Sequence, residues 1–153
     1  MDRDRLLADE GAGWLDLSAC FHQVPAGRFE EPTLTPEGWS PKDAMFHVAG
    51  WLKDCARVLE QMGAGTFDRA EHEDDGDERA YIERTNDEWF AHSRTMGPEA
   101  VRAALAPARQ AAREAFAALD PPTAEAWEWF EESGPLHYTT HAADLRRWLG
   151  DGP

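Results

Sequence analysis

The sequence predicts an all-helical protein that forms a single four-helix bundle over residues 1–150. Apolar residues recur at the helical period along most of the chain, and no segment alternates between apolar and polar residues as a half-buried strand does. Segments rich in glycine, proline or acidic residues separate the periodic stretches. A chain of this length with four such stretches favours a bundle in which the helices share one core.

The first helix is predicted over about residues 3–22. Its apolar residues repeat at helical spacing and are Leu6, Leu7, Trp14, Leu17 and Phe21. The segment PAGRFEEPTLTPEG follows, and its prolines and glycines predict a loop.

The second helix is predicted to begin sharply in the segment WSPKD. Ser40 suits the N-cap, Pro41 suits the first helical position, and Asp43 occupies the acidic position of a capping box. The apolar stripe that follows ends at Gly63 and contains Met45, Val48, Leu52, Cys55, Leu59 and Met62. The next segment, GAGTFDRAEHEDDGDE, is acidic and aperiodic, which predicts a solvated loop.

The third helix is predicted from about Glu78 to Leu119, and the segment MGPEA at 96–100 predicts that it is broken or kinked. Pro107 predicts a second kink or a displaced boundary, since proline removes a helical hydrogen bond. The segment DPPTAEAWEWFEESGP is predicted to be a connector. The fourth helix then extends from about Leu136 to Leu149.

Composition narrows the range of partners and compartments. Acidic residues outnumber basic residues by 30 to 15 among 153 residues, for a formal net charge of −15. This charge disfavours nucleic acid and anionic membranes as partners. Cys20 and Cys55 are predicted to be buried free thiols, since two cysteines without a spacing pattern predict neither a disulfide framework nor a cysteine zinc site. Without a signal-like or membrane-spanning segment, we expect a cytoplasmic protein.

Three of the six histidines form a candidate metal site. His137 and His141 are four residues apart, which places them on one face of a helix, and Leu145 and Trp148 extend that face towards the core. His47 lies inside the apolar run DAMFHVAGW; taken alone, such a residue is more often a hydrogen-bonded core histidine than a metal ligand. Three neutral imidazoles would leave coordination positions open, and all-imidazole ligation favours zinc or nickel.

Several neighbours of these histidines are candidates for supporting roles. Trp51, Trp89 and Tyr138 could form the walls of a substrate pocket, although core packing is the commoner role of an aromatic residue at helical spacing. Asp43 and Asp144 could orient an imidazole, although helix capping for Asp43 and a solvated charge for Asp144 are the commoner roles. One of three glutamates could act as a general base, and the sequence leaves open the choice between Glu128, Glu131 and Glu132.

Two of these segments resemble signatures of the DinB-like superfamily of four-helix-bundle metalloproteins. GWSPKDAMFHVAGW resembles its second-helix signature, LHYTTHAADLRRWL resembles its fourth-helix signature, and RTNDEWFAHSR looks like the matching third helix. The His-Tyr-x-x-His form is most similar to the ClbS/DfsB-like branch. Mycothiol-dependent maleylpyruvate isomerase N-terminal domains are also related. The resemblance implies that His47, His137 and His141 bind a divalent metal, and it makes a homodimer plausible.

The resemblance also implies a choice of reactions on a small-molecule substrate. Members of the superfamily include thiol-dependent transferases and isomerases that use mycothiol, bacillithiol or glutathione, and toxin-resistance proteins of the ClbS type. Because the sequence ends at Pro153, without a second domain like that of the isomerases, we expect a thiol to be held by the bundle itself or by a second subunit. A thiol-dependent S-transferase is the leading hypothesis. A metal-dependent hydrolase, a toxin-resistance protein and a non-catalytic bundle that binds metal or a small ligand are the alternatives.

Overall fold

The computed structural model describes residues 2–73 and 76–150, and within these ranges the chain forms helices and loops without a strand. Its α-helices, in chain order, are α1 (Arg3–Gln23), α2 (Pro41–Ala64), α3 (Arg69–His72), α4 (Glu78–Ser93), α5 (Pro98–Ala118), α6 (Ala124–Glu131) and α7 (His137–Gly150). A 3-10 turn follows α1, and a π-helical segment at Glu132–Leu136 joins α6 to α7. The predicted all-helical fold class is confirmed.

Helix α2 lies at the centre of the fold. It makes its broadest contact with α5, packs also against α4, and touches α6 and α7. Its start follows the predicted capping box: Ser40 Oγ accepts a hydrogen bond from the Asp43 backbone N–H at 3.2 Å, and the Ser40 N–H donates to Asp43 Oδ2 at 2.8 Å. The helix ends at Ala64, where Gly65 takes the left-handed conformation that glycine accommodates without strain.

Helices α1 and α7 pack against each other on the other side of the molecule. The bounds of α1 agree with the predicted 3–22 to within one residue, and the predicted apolar residues Leu6, Leu17 and Phe21 are buried. Cys20 and Cys55 are buried free thiols, as predicted.

The region predicted as a third helix consists of two separate helices, α4 and α5, with residues 94–97 between them. Gly97 is the N-cap of α5 and Pro98 follows as its first residue, which suits proline because the N–H there has no helical partner. Helix α5 continues through Pro107 without interruption. Pro107 is exposed, and the residue four positions earlier is exposed too, so water can reach the carbonyl that loses its partner.

Two segments predicted to be irregular contain helices. The predicted connector at 120–135 contains α6, which begins where Thr123 Oγ1 accepts a hydrogen bond from the Ala126 N–H at 3.1 Å. Phe130 anchors this helix by stacking on Phe116 of α5, with ring centroids 4.3 Å apart. The acidic segment predicted to be a solvated loop contains α3, capped by Asp68; its Asp74 and Asp75 lie outside the described residues. In both segments, contacts with distant residues supply the order that the local composition does not.

Among the described helices, none combines the length and apolarity needed to span a lipid bilayer.

Candidate metal centre

Three histidine side chains, one from α2 and two from α7, lie close together. His137 is the first residue of α7, and its Nε2 lies 2.8 Å from His47 Nε2 of α2 and 2.9 Å from His141 Nε2, one turn further along α7. One ring nitrogen from each residue lies within 4.8 Å of the others. The chain therefore brings together the three histidines that the sequence singled out.

The nitrogen arrangement fits a cation better than it fits a hydrogen-bonded cluster. A neutral imidazole has one N–H and one lone pair, so His137 Nε2 cannot form full hydrogen bonds with both of its close neighbours. A metal ion would instead accept the lone pairs of all three Nε2 atoms. Metal binding through Nε2 would place the proton of each neutral ring on Nδ1. The Nδ1 atoms of His47 and His137 are buried and make no hydrogen bond of ordinary geometry with a described residue.

Burial keeps the three imidazoles neutral, which is the form that binds a metal. Desolvation is the main cause that lowers the pKa of His47 to about 3, and the charge of a protonated His141 nearby adds to it. Desolvation and the two other imidazoles hold the pKa of His137 well below its ordinary value, against a smaller opposite effect of the Ser133 backbone. The pKa of His141 is also lowered by burial, which the nearby Asp144 partly opposes.

These lowered pKa values predict a pH-dependent stability of the metal-free protein. Between pH 6.5 and about 3, His47 is neutral when folded but protonated when unfolded, so the unfolded chain binds more protons. The free energy of unfolding is therefore expected to fall as the pH decreases through this window, by up to about 1.4 kcal/mol per pH unit for each such histidine. Urea unfolding of chelator-treated protein across this range measures the slope. His47→Gln should reduce the slope by the share of one histidine, whereas His22→Gln, at an exposed position of α1, should leave it unchanged.

Aromatic rings surround His47. The ring centroids of Trp39, Trp51 and Trp89 lie 5.0, 6.5 and 6.4 Å from that of His47. Trp39 belongs to the segment GWSPKDAMFHVAGW but is not among the predicted site residues. Its position immediately before the N-cap of α2 could have indicated this contact, because an apolar residue there often packs back onto the helix.

Gly50 allows Trp89 to approach α2 closely. A Cβ added at Gly50 would lie 2.5 Å from Cδ2 of the Trp89 indole, a distance that real Cβ atoms do not tolerate. Gly50→Ala is therefore expected to displace Trp89 and to reduce the free energy of unfolding by about 1–3 kcal/mol. Gly11→Ala, inside α1 with open space around the added Cβ, is the matched control. It should stabilise the protein by roughly 0.5–1 kcal/mol in the same urea titration. Equal effects of the two substitutions would contradict the close approach.

A cavity of about 340 Å³ lies next to the histidines. Its lining contains His47, Trp51, Arg69, Glu73, Glu78, Tyr81, Ile82, Asn86, Glu128, Trp129, Glu132, Ser133 and His137. The two histidines are largely buried, whereas Glu78, Glu128 and Glu132 are exposed. The cavity therefore connects the buried imidazoles to solvent through an acidic mouth.

The structure gives the three predicted pocket aromatics different positions. Trp51 lines the cavity, and its indole N–H donates to Asn86 Oδ1 at 3.0 Å. Trp89 packs behind Trp51, with ring centroids 4.9 Å apart, and is not part of the cavity lining. Tyr138 is completely buried against α1, where its hydroxyl donates to Glu10 Oε1 at 3.0 Å. Successive helix residues point about 100° apart, so Tyr138 faces away from the cavity that His137 lines.

The two predicted supporting aspartates also differ. Asp144 Oδ2 lies 3.9 Å from His141 Nδ1, and Asp144 Oδ1 accepts a hydrogen bond from Arg147. Asp43 lies elsewhere: its carboxylate accepts hydrogen bonds from Ser40 and from the Ser93 hydroxyl. The free backbone N–H groups at the start of α2 and the serine hydroxyls hold it at the helix end, away from the His47 ring.

His72 was placed in a solvated loop by the sequence, but its side chain is only 4% exposed. Arg57 Nη2 donates to His72 Nδ1 at 2.9 Å, and His72 Nε2 donates to Asp54 at 3.2 Å. The hydroxyl of Tyr81, which lines the cavity, donates to the same carboxylate at 3.0 Å. Asp54 thus ties α3 and α4 to α2 and fixes one wall of the cavity. Sequence reasoning missed this cluster because its members lie far apart in the chain.

The cavity distinguishes the three glutamates that the sequence left open. Glu128 and Glu132 belong to the lining, whereas Glu131, which follows Glu128 by three residues, does not. The pKa of Glu132 is raised, mainly because the carboxyl group is partly desolvated and also because the negative charges of Glu128 and Glu78 lie nearby. A carboxylate with a raised pKa at the edge of a cavity is suited to accept a proton from a bound ligand.

Comparison with known proteins agrees with this geometry. A search of curated proteins and a search of solved structures each gave no match. The family model described as the mycothiol maleylpyruvate isomerase N-terminal domain, a DinB-like family, matches residues 11–150. This span includes α2, α7 and all three clustered histidines. The chain therefore belongs to the mycothiol maleylpyruvate isomerase N-terminal domain family.

Proposed function

We propose that this protein is a divalent-metal-dependent enzyme that transfers a low-molecular-weight thiol to a small electrophile. The observation that carries the proposal is the convergence of three neutral imidazoles, two of which line a cavity large enough for a small molecule. His47, His137 and His141 are the proposed ligands, and zinc or nickel the proposed metal. Family membership supports a thiol, with mycothiol, bacillithiol and glutathione as the candidates.

We propose the DinB-like four-helix bundle as the architecture of this enzyme, with α1, α2, α7 and the broken α4–α5 unit as its four members. The His-Tyr-x-x-His form at 137–141 favours a place near the ClbS/DfsB-like branch. A homodimer is part of the same proposal.

The side chains around the cavity would divide the work of the reaction. A divalent ion held by the three imidazoles would lower the pKa of a coordinated thiol or water. Trp51, Tyr81 and Trp129 form apolar walls that limit the access of water to the reacting groups. Glu132, at the cavity edge, is proposed to accept the proton that the nucleophile loses.

A metal-dependent hydrolase is the second candidate, because Glu132 is placed to take a proton from water as well as from a thiol. The test is the consumption of a chromogenic aryl halide by metal-loaded protein, with and without added thiol. A transferase consumes the electrophile only when thiol is present, whereas thiol-independent consumption would identify a hydrolase. Absence of turnover with every thiol, despite bound metal, would leave a non-catalytic binding protein.

The proposed role of Glu132 has a matched control in its neighbour Glu131. Glu132→Gln is expected to lower turnover by about 10²–10⁴-fold, the usual contribution of a general base. Glu131→Gln removes the same charge from the same helical region but not from the cavity lining, and it should leave turnover nearly unchanged. Both variants are assayed with the same thiol and electrophile, and metal content is measured in parallel. Similar rates for the two variants would contradict the assignment.

A further inference from the structure

The cavity is marked as a ligand site independently of its carboxylates. His47 is only 7% exposed, lines the cavity, and has a buried Nδ1 without a hydrogen-bond partner among the described residues. A cavity of about 340 Å³ that reaches this largely buried imidazole and has three aromatic rings in its lining is a candidate ligand site. The remaining lining residues then indicate which chemical groups a ligand needs in order to fit.

The mouth of the cavity has unbalanced negative charge. Glu78, Glu128 and Glu132 are exposed there, and none of them forms an ion pair with a residue that the structure describes. Arg69 is the basic residue of the lining; it donates to Glu73 Oε1 and Glu125 Oε1 at 2.9 Å each, and its charge also acts on Glu78 and Glu132 without forming an ion pair with them. The four carboxylates of the lining outnumber its one guanidinium, so the mouth attracts a cationic group of a molecule that enters the cavity.

Aromatic rings line the same cavity as these carboxylates. Trp51 and Tyr81 pack edge to face, with centroids 5.9 Å apart, and both line the cavity together with Trp129. The faces of such rings attract cations. The protein provides an internal example, since the Arg69 guanidinium lies 5.0 Å from the centroid of the Trp129 ring while it is paired with Glu73 and Glu125. Arg84 likewise lies over Tyr81, at 5.9 Å from the ring centroid, so Trp51 is the ring of this wall without a guanidinium from a described residue and the one best suited to hold an organic cation.

We propose that the small-molecule ligand of this site carries a cationic nitrogen, which lies at the mouth of the cavity between the aromatic wall and the carboxylates of Glu78 and Glu128. The inference rests on the proposed function in so far as the reacting end of the ligand faces the histidines. It adds the charge class of the ligand, which the metal ligands by themselves do not determine.

Two probes of the same shape test this proposal. Choline and its neutral carbon isostere 3,3-dimethyl-1-butanol differ in charge but both carry a hydroxyl group, so a metal cannot favour one through a different ligating atom. Isothermal titration at low ionic strength is expected to give at least about tenfold tighter binding of choline. Glu78→Gln/Glu128→Gln should reduce this preference severalfold. High salt should reduce it too.

The overall charge of −15 could by itself favour a cation, so a matched double variant is needed. Glu37→Gln/Glu60→Gln removes two exposed glutamates that do not line the cavity and should leave the preference unchanged. Equal binding of the two probes to the wild type would overturn the proposal, as would equal losses in the two double variants. Chelator-treated protein should keep the preference. A loss of metal binding therefore contradicts the proposed function alone, and a missing preference in metal-loaded protein contradicts this inference alone.

Discussion

We expect the purified wild type to carry about one divalent ion per chain by the proposed coordination, and His47→Ala and His141→Ala each to lose nearly all of it. Each substitution leaves two imidazoles where three converge in the structure. The lost nitrogen cannot be replaced locally, since no other His, Cys, Asp or Glu of the described residues joins the cluster. Elemental analysis after purification and dialysis measures the metal content.

Histidines outside the cluster provide the matched controls for this experiment. His22 and His92 are exposed, on α1 and α4, and His22→Ala and His92→Ala should retain the full metal content. Undiminished metal in both cluster variants would end the assignment of these residues as ligands.

The same site predicts a stabilising effect of the metal. An ion that binds only the folded state and is present at about one hundred times its Kd would add ~2.7 kcal/mol to the free energy of unfolding. For a domain of this size, we expect removal of the metal to lower Tm by roughly 5–10 °C. Thermal unfolding before and after confirmed chelation measures the shift, and an unchanged Tm would contradict folded-state binding.

Glu10→Ala is expected to cost up to about 3–5 kcal/mol of stability, because it leaves two partly buried guanidinium groups without their carboxylate partner. The Glu10 carboxylate is completely buried and joins three helices. Arg109 of α5 donates to both of its oxygens, at 2.7 and 3.0 Å, and Arg113 donates to Oε2. The Tyr138 hydroxyl of α7 completes the group at 3.0 Å from Oε1.

Two variants separate this network from a general effect of charge removal. Asp9→Ala removes the neighbouring exposed carboxylate, which lies 3.9 Å from Arg5, and should cost at most about 0.5 kcal/mol. Tyr138→Phe removes one hydrogen bond and should cost about 1 kcal/mol. Urea titration of the three variants gives the comparison. Equal costs for Glu10→Ala and Asp9→Ala would show that the buried network does not stabilise the fold.

Local sequence patterns were sufficient wherever neighbours along the chain decide the structure. The capping box at Ser40 and Asp43 and the apolar stripe of α2 depend on contacts within a few residues, and both agree with the structure. The same holds for His137 and His141, since helical spacing alone places them side by side. A strong local preference of this kind needs no knowledge of the rest of the fold.

Local patterns failed where distant residues provide the stabilising contacts. Helix α6 lies in a segment whose prolines predicted a connector, but Phe130 is ordered by stacking on Phe116. His72 lies in an acidic segment that predicted solvation, but Asp54, eighteen residues earlier, holds its side chain in a buried position. The composition of a short window contains no information about such partners.

The sequence by itself determined an all-helical chain, the start of α2 and the side-by-side placement of two histidines, because hydrogen bonds and side-chain spacing within one helix fix these features. Only the tertiary structure decided that His47 faces the pair on α7, that Tyr138 turns away to Glu10, and that Glu128 and Glu132 border the cavity while Glu131 does not. The physical reason is that these features depend on how whole helices are rotated and packed against one another. Burial of apolar surface along the entire chain sets that packing.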